Sequence, residues 1–187
     1  MTSARDLQSG PPCEPEETFP RVDDGFERLW TPHRMAYIKG ERPGAEGGQD
    51  CPFCAAPGKE DAQGLLVHRG TFCFVVMNLF PYNPGHVLIC PYRHVASYID
   101  LMDEEIAEFT ELTRRAIRTL KAVSRPQGFN IGMNQGSVAG AGVAAHLHQH
   151  VVPRWGGDAN FLPIIAQTKA LPTLLEDARA ALVDGWI

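Results

Sequence analysis

Apolar residues recur every third or fourth position between Asp103 and Ser124: Ile106, Phe109, Leu112, Ala116, Ile117, Leu120 and Val123, with charges between them. That spacing predicts a long amphipathic helix. Asp103, Glu104 and Glu105 suit its positive N-terminal end, and Pro126 and Gly128 lie just past its other end. Elsewhere the apolar runs are short and β-prone. Leu65–Arg69 reads as a strand, and Phe72–Met77 as a central strand that ends at Asn78. Asn83-Pro84-Gly85 marks a turn. A strand follows over His86–Cys90, stopped by Pro91. Further strands are expected over Phe129–Asn134 and Leu147–Pro153, separated by a small-residue loop from Gln135 to Gly142. A second helix is expected over Thr173–Val183. This uneven alternation predicts an α+β fold, with an antiparallel sheet and the helices on one face.

Residues 1–24 are rich in Pro, Glu, Asp, Ser and Gly and read as a disordered tail. Phe26, Leu29 and Trp30, with Met35, Tyr37 and Ile38, form an apolar cluster able to dock a short helix, and a Gly-rich loop runs from Lys39 to Asp50. Residues 25–187 therefore form one expected domain. Composition agrees: 44% hydrophobic and 21% charged residues describe a globular chain. The net charge of −5 speaks against a nucleic-acid binder with a basic surface. It leaves room for a small anion held by backbone N–H groups. No apolar run reaches the roughly 18 residues a membrane span needs, so no membrane partner is expected. The N-terminus lacks the apolar segment of a secretory signal, which makes the cytoplasm the expected compartment. Five cysteines are present, an odd number, and in that compartment a disulfide framework is not expected.

The segment His146-Leu147-His148-Gln149-His150-Val151-Val152 carries the most chemistry. In a strand, residues i, i+2 and i+4 share a face, so three imidazoles would line one side. A metal-binding His tract, or three unrelated surface histidines, is the alternative. A neutral imidazole has a nitrogen free to attack phosphorus at neutral pH. A second imidazole can donate to a phosphate oxygen or carry a proton to the leaving group. The loop Gly136-Ser137-Val138-Ala139-Gly140-Ala141-Gly142, placed just before, allows close backbone approach to an anion.

HLHQHVV resembles the H-φ-H-φ-H-φ-φ signature of the histidine-triad (HIT) superfamily, with polar Gln149 at an apolar position. NPGHVLICPYRH and FNIGMNQG resemble further segments of that superfamily. VVPRWGGDANF and RLWTPHRMAYI are similar to a branch that includes diadenosine tetraphosphate phosphorylases of actinobacterial type. The resemblance implies nucleotidyl transfer through a nucleotidyl-histidine at His148, with His150 on the phosphate. It implies Asn78 on the ribose, His86 behind the triad, and Asn134 with Gly140, Gly142 and Val143 around phosphate oxygens. The implied reaction converts diadenosine tetraphosphate and phosphate to ATP and ADP, needs no metal for its chemistry, and belongs to a homodimer or larger homo-oligomer. Where phosphorylases of the branch carry Gly-Gly-Ser, this chain has Ala141-Gly142-Val143, which leaves phosphate or water open as acceptor. The other readings are a hydrolase of dinucleoside polyphosphates or nucleoside phosphoramidates, and a nucleotide sensor or zinc-organised interaction module.

Cys51-Pro52-Phe53-Cys54 has zinc-knuckle spacing but is half of a four-ligand site; an unliganded or redox pair is the alternative. His94 and His146 can complete the tetrahedron, as in zinc-binding members of the superfamily. A structural zinc on Cys51, Cys54, His94 and His146 would take His146 out of proton transfer and orient its neighbour His148. Asp158 and Asn160 are candidates to reach substrate or equally turn residues, Arg154 to steer polyphosphate or equally a solvated side chain, and Trp155 and Phe161 to stack on a base or equally to fill the core. His33 and His68 stand alone and are assigned no role.

Overall fold

A computed structural model describes residues 51–158 and 172–187. The tail, the apolar cluster that includes Trp30, His33, the boundary near residue 25, and Asn160 and Phe161 lie outside the described residues.

The short helix α1 (Pro52–Ala55) is followed by β1 (Leu66–Arg69), β2 (Cys73–Met77) and β3 (Val87–Pro91). Then come α2 (Asp103–Ser124), β4 (Gly128–Gly132), β5 (Gln149–Arg154) and α3 (Leu175–Asp184). The strands form one sheet in the order β1-β2-β3-β5-β4, with every neighbouring pair antiparallel. The expected α+β architecture is therefore the observed one.

Strand alternation splits the core into two clusters. Val75, Met77, Val87, Ile89 and Val151 meet Phe109, Leu112, Ala116 and Leu120 of α2, with Leu182 of α3. Phe74, Val76, Leu88 and Cys90 point the other way and pack with Ala56, Phe53 and Tyr92. The register pairs Val76 with Leu88 and Leu88 with His150, so His150 lies on the face turned away from α2. α2 begins where Glu105 turns back to accept the Met102 N–H at 2.8 Å and ends at Arg125, whose φ is 49°.

Two expected strand bounds are corrected; β4 ends at Gly132 rather than Asn134. The last strand starts at Gln149 rather than Leu147, so only His150 of the three histidines is in the ladder. The reason is a competing partner: the Leu147 N–H donates to the Val95 carbonyl at 2.6 Å, beyond the end of β3. Among the described residues no helix is long and apolar enough to cross a membrane.

Candidate active site and metal centre

Two imidazoles of the expected triad stand side by side. The His148 and His150 rings meet edge to face at 5.1 Å. His148 is 5% exposed, and the Phe53 ring lies 4.8 Å from it. Its Nδ1 is 2.8 Å from the His146 carbonyl, which can only accept. The His148 proton therefore sits on Nδ1, and Nε2 keeps its lone pair.

The tautomer of His150 follows from a relay. The Tyr82 backbone N–H donates to His86 Nδ1 at 3.0 Å, so neutral His86 carries its proton on Nε2. That nitrogen is 2.9 Å from His150 Nδ1 and donates to it. The remaining His150 proton is then on Nε2. His86 is fully buried, and Asn78 Nδ2 approaches its Nδ1 at 3.3 Å. Asn78 is thus placed against His86, with its Oδ1 accepting the Phe80 N–H at 3.0 Å.

Burial disfavours the charged forms of both rings. It lowers the pKa of His148, partly offset by the bond to the His146 carbonyl. It pushes His150 down to about 4, with His148 adding to the shift. Both imidazoles are neutral at pH 7, as a nucleophile and a neutral donor require.

The glycine-rich loop lies between β4 and β5. Gly136 and Gly140 have φ of 81° and 82°, values that favour glycine. Ala139, Gly140 and Ala141 spend their N–H groups inside the loop. Among the described residues no hydrogen bond takes the N–H of Gly142 or Val143, so these remain available to an oxyanion. Gln135, beside half-buried Asn134, accepts the Tyr98 N–H at 2.8 Å and the Ser97 hydroxyl at 3.3 Å.

Four further side chains converge next to the triad. One ligand atom each from Cys51, Cys54, His94 and His146 lies within 4.8 Å of all the others. His146 Nδ1 is 3.4 Å from both thiols, and His94 Nδ1 is 3.2 Å from Cys54 Sγ. His146 Nε2 donates to the Pro91 carbonyl at 2.9 Å, which leaves Nδ1 unprotonated and aimed at the sulfurs. Two thiols and two imidazole nitrogens fit a tetrahedral soft-to-borderline cation. Burial and the neighbouring Cys51 push the Cys54 thiol up to about 11, so it stays protonated at neutral pH unless a cation binds. Arg93 braces this corner by donating twice to buried Glu105, at 2.7 and 2.6 Å, and to the Asp100 carbonyl.

Other sequence candidates fall elsewhere. Asp158 accepts from Arg154 at 2.7 and 2.8 Å, from Asn83 Nδ2 at 2.7 Å and from the Trp155 N–H. Arg154 also donates to Asn130 Oδ1 at 2.6 Å, so it is an anchored, charge-balanced group. Trp155 donates to the Ser124 carbonyl at 3.3 Å. His68 stacks on Trp186 at 4.9 Å. Sequence reading missed Phe53, Tyr82 and Arg93. Phe53 sits inside the Cys-x-x-Cys segment and Arg93 just before His94, so adjacency to a motif was the available signal.

Comparison with known proteins follows the same lines. A HIT domain family model matches residues 60–157. An AP-4-A phosphorylase of Mycobacterium tuberculosis is 48% identical over 167 residues, covering 87% of this chain and 86% of that protein. A Zn-bound histidine triad family protein from Mycobacterium smegmatis superposes with a TM-score of 0.60 at 26% identity, over 74% of this chain and 94% of that one. A hypothetical histidine triad nucleotide-binding protein from Sulfolobus tokodaii has the same fold, with a TM-score of 0.59 at 23% identity over 72% and 91% of the two chains.

Proposed function

The chain belongs to the histidine-triad family, and on that premise we propose that it is a phosphorylase of dinucleoside polyphosphates, converting diadenosine tetraphosphate and phosphate to ATP and ADP. The observation that carries this reading is the fixed tautomer of His148, with Nε2 unprotonated beside a neutral His150. The long match to the M. tuberculosis phosphorylase supports the substrate.

In the first step His148 Nε2 attacks the α-phosphorus. An N–P bond forms, the bridging P–O bond breaks and ATP departs with that bonding pair. The imidazole gains positive charge, and the His146 carbonyl that holds Nδ1–H stabilises it. His150 Nε2–H serves as donor to the phosphate oxygens, and Asn134 and the loop at Gly140, Gly142 and Val143 hold the others. In the second step a phosphate oxygen attacks the same phosphorus. The P–N bond breaks, ADP leaves and His148 returns neutral. Asn78 is assigned to the ribose and His86 to holding the His150 tautomer.

Cys51, Cys54, His94 and His146 are proposed to hold a structural zinc, in keeping with the Zn-bound M. smegmatis relative. Zinc supplies no step here; it fixes the backbone that carries His148. Assembly as a homodimer or larger homo-oligomer is part of the proposal.

Val143 in place of a serine favours a second reading in which water is the acceptor. Incubation of the protein with diadenosine tetraphosphate and 18O-labelled phosphate separates them. Labelled ADP with ATP is the expected result. ATP with AMP, regardless of phosphate, would mean hydrolysis. The absence of any adenylyl-histidine on alkali-quenched protein, where the P–N bond survives, would remove the nucleophile assignment.

A further inference from the structure

A cavity of about 320 Å³ opens directly beside His150, over β4 and β5. Its volume lies at the low end of the ~300–1,000 Å³ range of small-molecule sites. Past the groups that meet the transferred phosphate, the side chains around it are unlike those of a polyphosphate channel. Asn130, Asn134 and Tyr82 line it with His150, and the one cation at its rim is Arg154. That guanidinium is already balanced by the two-point ion pair with Asp158 and tied to Asn130. Beyond His150 and Asn134, already assigned to the transferred phosphate, the cavity's described lining residues offer no unspent positive charge to a further chain of phosphates.

It does offer what a nucleoside uses. Asn130 spends its Oδ1 on Arg154, and among the described residues its Nδ2 has no partner. Asn78, assigned to the ribose of the transferred half, is not among the lining residues, so this cavity is separate from that site. The Tyr82 ring stacks parallel to His150 at 5.8 Å and is 51% exposed, so it can present a face to a base. Room for the ligand comes from a glycine. Gly132 pairs directly with His150 across the ladder, and a Cβ placed on it meets nothing within 4 Å. A larger residue there would project into the cavity beside the reacting groups.

We infer that this cavity binds the nucleoside of the departing half of the substrate, the adenosine that leaves as part of ATP. The inference rests on the proposed transfer of adenylate to His148 for the identity of the two halves, whichever acceptor follows. It adds that the enzyme selects two-headed nucleotides, because the distal nucleoside occupies its own pocket.

The test compares two substrates with the same transferred adenylate and the same number of phosphates. Diadenosine tetraphosphate has the distal adenosine; adenosine 5′-tetraphosphate lacks it. In the parent, kcat/KM should favour the two-headed substrate by about tenfold, the scale of one or two net hydrogen bonds. Gly132→Leu, which fills the cavity, should bring that ratio close to one, whereas Gly132→Ala should keep most of it. Asn130→Asp keeps an acceptor for Arg154 but removes the Nδ2 donor, and should lower the ratio severalfold. A parent ratio near one, or a ratio untouched by both Gly132→Leu and Asn130→Asp, would overturn the inference. Failure of the underlying reading looks different, since neither substrate would then leave adenylate on His148. In that event, calorimetric titration with ATP still reads the cavity: binding lost in Gly132→Leu supports a nucleoside pocket, and equal binding in both proteins refutes it.

Discussion

His148 and His150 carry their protons on different nitrogens because their hydrogen-bond partners differ. One Nδ1 faces a carbonyl and must be protonated; the other faces a donor and must not be. A pH prediction follows. His150 is shifted from 6.5 down to about 4, so it stays neutral through the physiological range. Single-turnover adenylylation should be flat from neutral pH to below 6.5 and fall on further acidification. The same shift bears on stability. The unfolded chain takes up a proton below its ordinary histidine pKa while the folded His150 resists it. The stabilisation is therefore complete above 6.5 and is lost as pH falls towards about 4. Thermal melts in that window should drop by several degrees, and a profile that rises on acidification would contradict the burial argument. Gln149 also finds its reason at this scale. It points at the helix layer, where its amide donates to Thr113 Oγ1 at 2.8 Å, so a polar residue fits a position the family pattern fills with an apolar one.

At the scale of elements, the β1–β2 connection is held by a side chain from the long helix. Glu108 of α2 accepts the N–H groups of Thr71, Phe72 and Cys73 at 2.5–2.8 Å. Those donors lie where the hairpin has no ladder partner, and a carboxylate satisfies all three. Glu108→Ala should cost about 1–3 kcal/mol, read as a lower urea midpoint with an unchanged slope. None of the hydrogen bonds of the Cys51, Cys54, His94 and His146 cluster involves Glu108, so zinc content should match the parent.

Across the whole molecule, the metal corner and the triad are mechanically linked. The segment after β3 carries His94, gives the Val95 carbonyl to Leu147, and ties Ser97 and Tyr98 to Gln135, next to the glycine-rich loop. It therefore touches the chain on both sides of the site. Stripping zinc with a strong chelator should lower the melting temperature and slow adenylylation by roughly 10–100-fold, with both effects reversed by one zinc per chain. Loss of metal that leaves melting and rate unaltered would mean that the cluster does not organise the site. Arg93→Ala should release zinc at chelator concentrations the parent withstands, because Arg93 fixes the approach of His94 to the N-terminal end of α2.

Elements whose periodicity is strong and local can be read from the chain alone. The α2 boundaries, Asp103–Ser124, match the expected ones because its apolar stripe and end signals need no distant partner. The two central strands were equally legible, since a run buried on both faces is apolar throughout. The His-x-His-x-His spacing and the Cys-x-x-Cys pair named the chemistry. Tertiary structure alone decided which nitrogen of each ring is free, because that depends on carbonyls and donors brought in from Tyr82, His86 and Pro91. It also moved the start of β5 to Gln149, where a non-local carbonyl outcompeted the ladder. The cavity beside His150 likewise belongs to the fold: Gly132 meets His150 only through strand register, which spacing along the chain does not encode.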